Sequence, residues 1–192
     1  MAGSTNTENK IKFGLKNVYR APVTISEGTV TYGTPVRIYG AVTLSVSPDI
    51  TRTAIAADDN PEYAVTTEDN GYTGDIEFQV LTDSDRVALF GSTVNSDGVL
   101  IESKDDVPKP TALLFEFDGD ANKTRHVLYN CLCTKPSVES ETGKTNKTDK
   151  CSFTARPAED TGYIKAKAAN TTAGKAKYDS WFTAVYIPAA SA

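Results

Sequence analysis

The sequence holds one histidine, His126, and three cysteines, Cys131, Cys133 and Cys151. Any nucleophilic, acid–base or thiolate–metal chemistry involving imidazole or sulfur has to pass through them. A Ser-His-Asp or Cys-His relay needs an imidazole to take the nucleophile's proton. His126 sits inside Arg125-His126-Val127-Leu128-Tyr129, with no glycine-rich elbow or oxyanion loop beside it. Cys131 and Cys133 lie two apart and share one face of a strand. With Cys151 and His126 they would make four metal ligands, but the spacing fits no recurrent zinc pattern, and free cysteine is an ordinary core residue. Gly143-Lys144-Thr145 ends like a phosphate-binding loop, yet Val138 stands where that motif needs its first glycine. Asp118, Asp120 and Asn122 open with the spacing of a calcium loop, but Lys123 and Tyr129 replace its glycine and its bidentate glutamate. A turn is the better reading there. Asp75 and Glu77 form a carboxylate pair on what reads as a solvated strand face. The expectation is a chain without a catalytic, cofactor or metal site.

The elements that carry these residues are strands. Thr, Ser, Val and Tyr are abundant, while Met and Trp occur once each, a mix suited to pleated surfaces. Residues 10–18 alternate, with Ile11, Phe13 and Leu15 on one face. A second strand is predicted around Val36–Ser47, closed by Pro48, which cannot donate to a ladder. Residues 49–70 are less regular and read as a projecting hairpin or loop with strand character at its ends. Over Gly71–Leu81, Tyr72, Ile76, Phe78 and Val80 face one way, and Thr73, Asp75, Glu77 and Gln79 the other. Thr82-Asp83-Ser84-Asp85 is an N-cap cluster leading into a short helix that stops at Gly91, with Val87 and Phe90 spaced to pack on the sheet. Further strands are predicted at Gly98–Glu102, Thr111–Phe117, Thr124–Thr134, Lys150–Ala155 and Gly162–Ala168, with a hairpin-type turn at Asp118-Gly119. Tyr178–Tyr186 is a short helix or a last strand. The fold class is therefore mostly β, a sandwich or barrel with one flanking helix around 83–90 and extended loops and arms. One domain spans 10–187, with a flexible arm at 1–9, a mobile loop at 139–149 and a tail at 188–192.

The net charge is −5, which argues against a protein that grips nucleic acid through a basic face. No apolar run reaches the roughly 18 residues of a membrane span. An odd cysteine count without an apolar export segment in Met1–Asn9 points to reduced thiols in a product made in the cytoplasm.

Several stretches together carry a resemblance. They are Asn9-Lys10-Ile11-Lys12-Phe13-Gly14-Leu15-Lys16-Asn17-Val18-Tyr19, Gly71-Tyr72-Thr73-Gly74-Asp75, Leu113-Leu114-Phe115-Glu116-Phe117-Asp118-Gly119-Asp120, Thr124-Arg125-His126-Val127-Leu128-Tyr129-Asn130-Cys131 and Tyr178-Asp179-Ser180-Trp181-Phe182. In these, from about residue 9 to residue 187, the chain resembles the major tail protein family of long-tailed, non-contractile phages of Gram-positive hosts. The resemblance implies a structural virion protein, made in the host cytoplasm and built into the tail. Six subunits would close into a ring, each giving about four strands to an inner barrel, and the rings would stack into a DNA-conducting tube. Twenty-four strands at ~4.8 Å spacing and ~40° tilt give a backbone diameter of roughly 45–50 Å, wide enough for duplex DNA after side chains narrow it. Implied partners are further copies of the chain, a tape measure protein, and tail terminator and distal tail proteins. DNA would pass without specific binding.

On this reading Asp75, Glu77 and Gln79 are lumen-facing candidates. Six copies at −5 each would carry roughly −30 formal charges per ring, repelling phosphate. Arg52, Ile55, Asp58, Asp59 and Tyr63 are the candidates for reaching a neighbouring subunit or ring. Two alternatives stay open: a carbohydrate- or receptor-binding β-sandwich of a virion or adhesin, and the tube of a tailocin or prophage-derived injection apparatus.

Overall fold

The computed structural model describes residues 14–120, 123–143, 146–172 and 174–188. The 1–9 arm, Ile11 and Phe13 of the first predicted strand, Asn122, Lys144, Thr145 and the tail from 189 onward lie outside the described residues. The strands are β1 Leu15–Ser26, β2 Thr29–Tyr32, β3 Val36–Arg37, β4 Ala41–Ala57, β5 Asn60–Phe78, β6 Thr93–Val94, β7 Leu100–Ile101, β8 Thr111–Phe117, β9 Arg125–Cys133, β10 Asp149–Arg156 and β11 Lys165–Ala168. The helices are α1 Asp83–Phe90 and α2 Lys175–Asp179. The fold is mostly β, and every described strand pair is antiparallel.

The main sheet runs β2-β1-β8-β9-β10-β5-β4, with β3 on β1 and β11 on β9. Laid flat, this order would put β3 six strand spacings from β4, about 29 Å. Only Ile38, Tyr39 and Gly40 separate the two strands in sequence, and the four peptide steps from Arg37 to Ala41 reach at most about 14 Å. The sheet therefore curls, and the segment 38–40 bridges its two margins. Ile38 is buried at the bridge, and its N–H donates to the Val18 carbonyl at 2.9 Å. Inside the curl lie Val18, Ile38, Ile76, Phe78, Leu113, Phe115, Leu128, Cys131, Cys133, Cys151 and Phe153, with Leu81, Leu89 and Phe90 of the α1 region packed against them.

A second core covers the other side of β1, β8 and β9, where Ala21, Ala112, Leu114, Val127 and Tyr129 meet Trp181, Phe182, Val185 and Tyr186. β8 is consequently buried on both faces, which is why Thr111-Ala112-Leu113-Leu114-Phe115 reads as a nearly unbroken apolar run.

Helix α1 is capped as its residues predict. The Thr82 side chain accepts from the Asp85 N–H, and Gly91 closes the helix in the left-handed conformation. Asp85 is also buried against Arg20 of β1, whose Nε donates to it at 2.9 Å, so the cap fastens the helix to the sheet. The packing residues are Leu89 and Phe90, with Val87 only half-buried.

Several boundaries differ from the sequence-based reading. Pro48 does not end a strand. β4 continues to Ala57 because it is the edge of the sheet, where proline's missing donor costs no ladder bond. β5 stops at Phe78, which leaves Gln79 beyond the strand and Val80 70% exposed. The predicted strand at 98–102 is a two-residue rung paired with β6. β8 and β9 are joined by residues 118–124 rather than by a two-residue turn. A second helix, α2, overlaps the predicted helix or strand at Tyr178–Tyr186 only in Tyr178 and Asp179, and residues 180–186 are turns and coil; at five residues it has no side-chain cap.

Candidate functional site

Two features stand out as surfaces through which the molecule can act. The first is the distal part of the β4–β5 hairpin. β10 accompanies β5 only from Tyr72 to Phe78. Beyond that point, among the described residues, the pairs Ile50↔Asp69 through Ala57↔Asn60 have only each other as strand partners, and the hairpin projects roughly 25 Å at ~3.4 Å per residue.

Its root is fixed by Gly71. Asp49 lies opposite Asn70 and Gly71 where the register shifts, a β-bulge. Gly71 has φ +106°, and a Cβ there would lie 2.0 Å from the Ala155 carbonyl oxygen, so no side chain fits. Arg156, the last residue of β10, donates to Asp49 at 3.1 Å and to the Asn70 carbonyl at 3.0 Å. At the tip Asp58 and Asp59 have φ of 50° and 60°, the pair of positive values that a two-residue hairpin turn with the right twist requires. Residues 49–70 are thus a paired ladder, with register shifts at Pro48/Ile50 and Ile55/Ala57, where the residue pattern alone read as a less regular hairpin or loop.

The hairpin has no core of its own. Ile50, Ile55, Tyr63 and Val65 are 55%, 51%, 64% and 42% exposed. By register Ile50 and Val65 belong to one face and Ile55 to the other. An isolated two-stranded ribbon is marginally stable in water. Arg52 pairs with Glu62 at 2.9 Å, an exposed contact that contributes little.

The second feature is the outer face of β4, β5, β10 and the end of β9. Cross-strand register puts Thr43 and Ser45 of β4, Asp75 and Glu77 of β5, and Lys150 and Ser152 of β10 on this face. Thr43 donates to Glu77 at 3.0 Å, Ser152 donates to Asp75 at 2.7 Å, and Lys150 reaches Asp75 at 3.2 Å. The Ser152 hydroxyl and then the Lys150 ammonium hold the Asp75 carboxyl below its ordinary value. A shallow cleft of about 650 Å³ crosses the face, bounded at one side by Val107, Pro108 and Leu132. Asp75 and Glu77 therefore share a hydroxyl-rich surface on which Lys150 offsets half of their charge. Gln79 is not part of it: its N–H turns to the Gly40 carbonyl and its side chain to Asn146.

The residues with chemical potential are placed differently. The three thiols are buried. Burial pushes Cys133 and Cys151 up to about 12, and Cys131 upward as well, so none is a thiolate near neutrality. His126 is buried and stacked on Phe115 at 5.2 Å. Among the described residues no group of three His, Cys, Asp or Glu side chains converges as metal ligands, and no helix is long and apolar enough to cross a membrane. The exposed aromatics Tyr39, Tyr63 and Tyr163 lie on three different segments.

No family model matches the sequence, and no curated protein matches it. The resemblance to tail tube subunits therefore rests on the stretches quoted above. Among solved structures the chain is similar to one from the cryo-EM structure of the anti-feeding prophage cap (AFP tube terminating cap). The two are 10% identical with a TM-score of 0.36 over 88% of this chain and 99% of that one. At that level the likeness decides neither family nor function.

Proposed function

We propose that this protein is a structural subunit without catalytic function, built into a phage tail tube as hexameric rings stacked around a DNA-conducting lumen. The observation that carries this reading is the projecting hairpin, a paired ribbon that exposes apolar side chains on both faces and has no core of its own. Such a ribbon is stabilised when a second copy covers it, as exposed apolar surface of this kind marks an interaction site.

The four-stranded outer face supports the reading. β4 is a long edge whose segment Ala41–Ser47 carries no charged residue. The other margins are guarded differently: β2 and β3 are only four and two residues long, and β11 carries Lys165 and Lys167. Unguarded edges pair with other chains, and ring closure removes them.

In the ring, Asp75, Glu77 and the hydroxyls of Thr43, Ser45 and Ser152 line the lumen. Two acids against one lysine leave that face at −1 per subunit, so DNA is repelled weakly and slides over hydroxyls. Arg52, Ile55, Asp58, Asp59 and Tyr63 contact the neighbouring copy. Tape measure, terminator and distal tail proteins complete the assembly, and the virion is its destination.

Negative-stain microscopy of the concentrated full chain tests this: hollow tubes of stacked rings are expected. Replacing residues 52–67 by Asn-Gly, which shortens the hairpin to the Thr51↔Glu68 pair, should abolish tubes and leave a folded monomer. Normal tubes from that variant, or none from the intact chain at any concentration or salt, would refute the assignment.

A further inference from the structure

One link of the main chain is chemically prone to rearrange, and packing requires it to be there. Asn70-Gly71 is the only Asn-Gly pair in the sequence. In such a pair the glycine nitrogen can attack the side-chain amide carbon of the asparagine, because no Cβ shields it and its backbone turns freely. Position 71 admits glycine alone, with φ +106° and the Ala155 carbonyl oxygen 2.0 Å from where a Cβ would stand. The pair lies at the root of the projecting hairpin, in the bulge between Pro48↔Tyr72 and Ile50↔Asp69.

Three groups that the reaction has to move are held. Asn70 Nδ2 donates across the ladder to Thr51 Oγ1 at 2.8 Å. The Asn70 carbonyl accepts from the Arg156 guanidinium at 3.0 Å. The Gly71 N–H, the attacking group, donates to the Asp69 carboxylate at 2.9 Å. Gly71 is buried and Asn70 half-buried. Unzipping of the root pairs releases all three, and such opening is a local event that does not require the body to unfold.

We propose that Asn70 is a site of spontaneous deamidation gated by opening of the hairpin root. On opening, the Gly71 nitrogen bonds to Asn70 Cγ, its proton passes through water to the departing amide nitrogen, and ammonia leaves a five-membered succinimide. Water then opens the ring. Attack at Cγ gives aspartate, and attack at the main-chain carbonyl carbon gives isoaspartate. One water is consumed and one ammonia released, with no change of oxidation state.

The product matters because of where it falls. Residues 49–70 hold Asp49, Asp58, Asp59, Glu62, Glu68 and Asp69 against Arg52 alone, a balance of −5, whereas the other 170 residues contain nineteen acids and nineteen bases. Deamidation adds one more negative charge to the element that already carries the whole formal charge. The new carboxylate stands beside Asp69 and opposite Asp49, and like charges across a ladder destabilise it. The donor to Thr51 is lost. Isoaspartate also inserts an extra main-chain carbon at the root, which displaces the ribbon's register against the body. The site does not depend on assembly into a tube.

The test follows the full chain in mildly alkaline buffer, folded and in urea, by peptide mass mapping for the gain that replacing NH2 by OH brings. Isoaspartyl methyltransferase labelling separates the two products. In urea Asn70 should convert ahead of every other asparagine. In the folded chain it should convert at least about tenfold more slowly, because only the open fraction reacts. Thr51→Val keeps the strand and removes the acceptor; it and Arg156→Ala should each raise the folded-state rate roughly threefold to tenfold, the effect of one hydrogen bond lost at the root. Asn95, held in another loop by the Asp97 and Val99 N–H groups, should keep its rate in both variants. Asn70→Gln should abolish the gain at position 70.

Equal rates in the folded and unfolded chain would overturn the gating. Absence of conversion at Asn70 in urea would overturn the site itself. An unchanged rate in folded Thr51→Val and Arg156→Ala would overturn the clamps, and Thr51→Val decides alone where the Arg156→Ala melt shows an unfolded body.

Discussion

β8 and the distal half of β5 are both antiparallel strands with β-branched and apolar side chains, yet they end in opposite circumstances. β8 has strands on both edges and a core on each face, so every residue from Thr111 to Glu116 is buried. β5 beyond Gly71 keeps one neighbour and loses both layers, and Tyr63 and Val65 are left in solvent. Strand propensity is common to the two; what separates them is the number of layers that the rest of the chain supplies. The body completes its own packing by curling until residues 38–40 bridge its margins. The hairpin has no such layer of its own. Charge divides along the same line, with a formally neutral body and an acidic ribbon.

The contrast can be broken or sharpened by substitution. The largest effect on stability is expected at Trp181, which is fully buried between β9 and the C-terminal segment. Trp181→Ala should lower unfolding free energy by about 3–5 kcal/mol, measured by urea denaturation. The loss should be the same with and without the distal hairpin, since distant sites add; a difference would show that the ribbon helps hold the body. Asp85→Ala should cost about 3 kcal/mol, because it strands the Arg20 guanidinium in a buried setting and removes the link between the helix cap and β1.

Alkaline pH should act on the body alone. Burial raises the folded-state values of Cys133 and Cys151 from 9.0 to about 12. The unfolded chain then releases these protons first, so stability is intact below pH 9 and falls between pH 9 and 12. The slope is up to about 1.4 kcal/mol per pH unit for each thiol. The urea midpoint followed against pH should show this fall unchanged in the shortened-hairpin variant. At about pH 8, below the ordinary thiol range, a thiol reagent should label the folded chain slowly and all three cysteines promptly after denaturation. The smallest effect is expected from Ile55→Ala or Tyr63→Ala, within about 0.5 kcal/mol for the monomer. A larger destabilisation would mean that the ribbon folds back on its own body.

Much of the body was legible in the residues themselves. Thr111–Phe117 was bounded correctly because its apolar run sits between Pro110 and Asp118-Gly119, and α1 because Thr82 and Gly91 each have one cheap conformation to adopt. The continuous pairing of 49–70 was hidden, since Pro48, the Asn70-Gly71 bulge and the Asp58-Asp59 turn all carry breaker residues. Each is tolerated because one edge of that ladder faces solvent. The acidity was legible as a total but not in its location, which follows from where residues 49–70 lie and which composition cannot express. α2 was legible only as a helix-or-strand alternative displaced to Tyr178–Tyr186, because five residues are too few for a periodicity.

The position of the hairpin in the chain has a consequence for synthesis. Its strands are complete once residue 78 has been made, and a hairpin closes in roughly 1–10 μs. The curl of the body needs β1 to meet β8, where Lys16 and Asp118 bond across a separation of 102 residues, and also needs β10, which ends at Arg156. At roughly 5–20 residues per second the ribbon waits about 4–16 seconds for the rest of its subunit. During that interval its exposed apolar side chains have no folded body beside them. A charge of −5 concentrated on that element makes each nascent ribbon repel the next for as long as it waits.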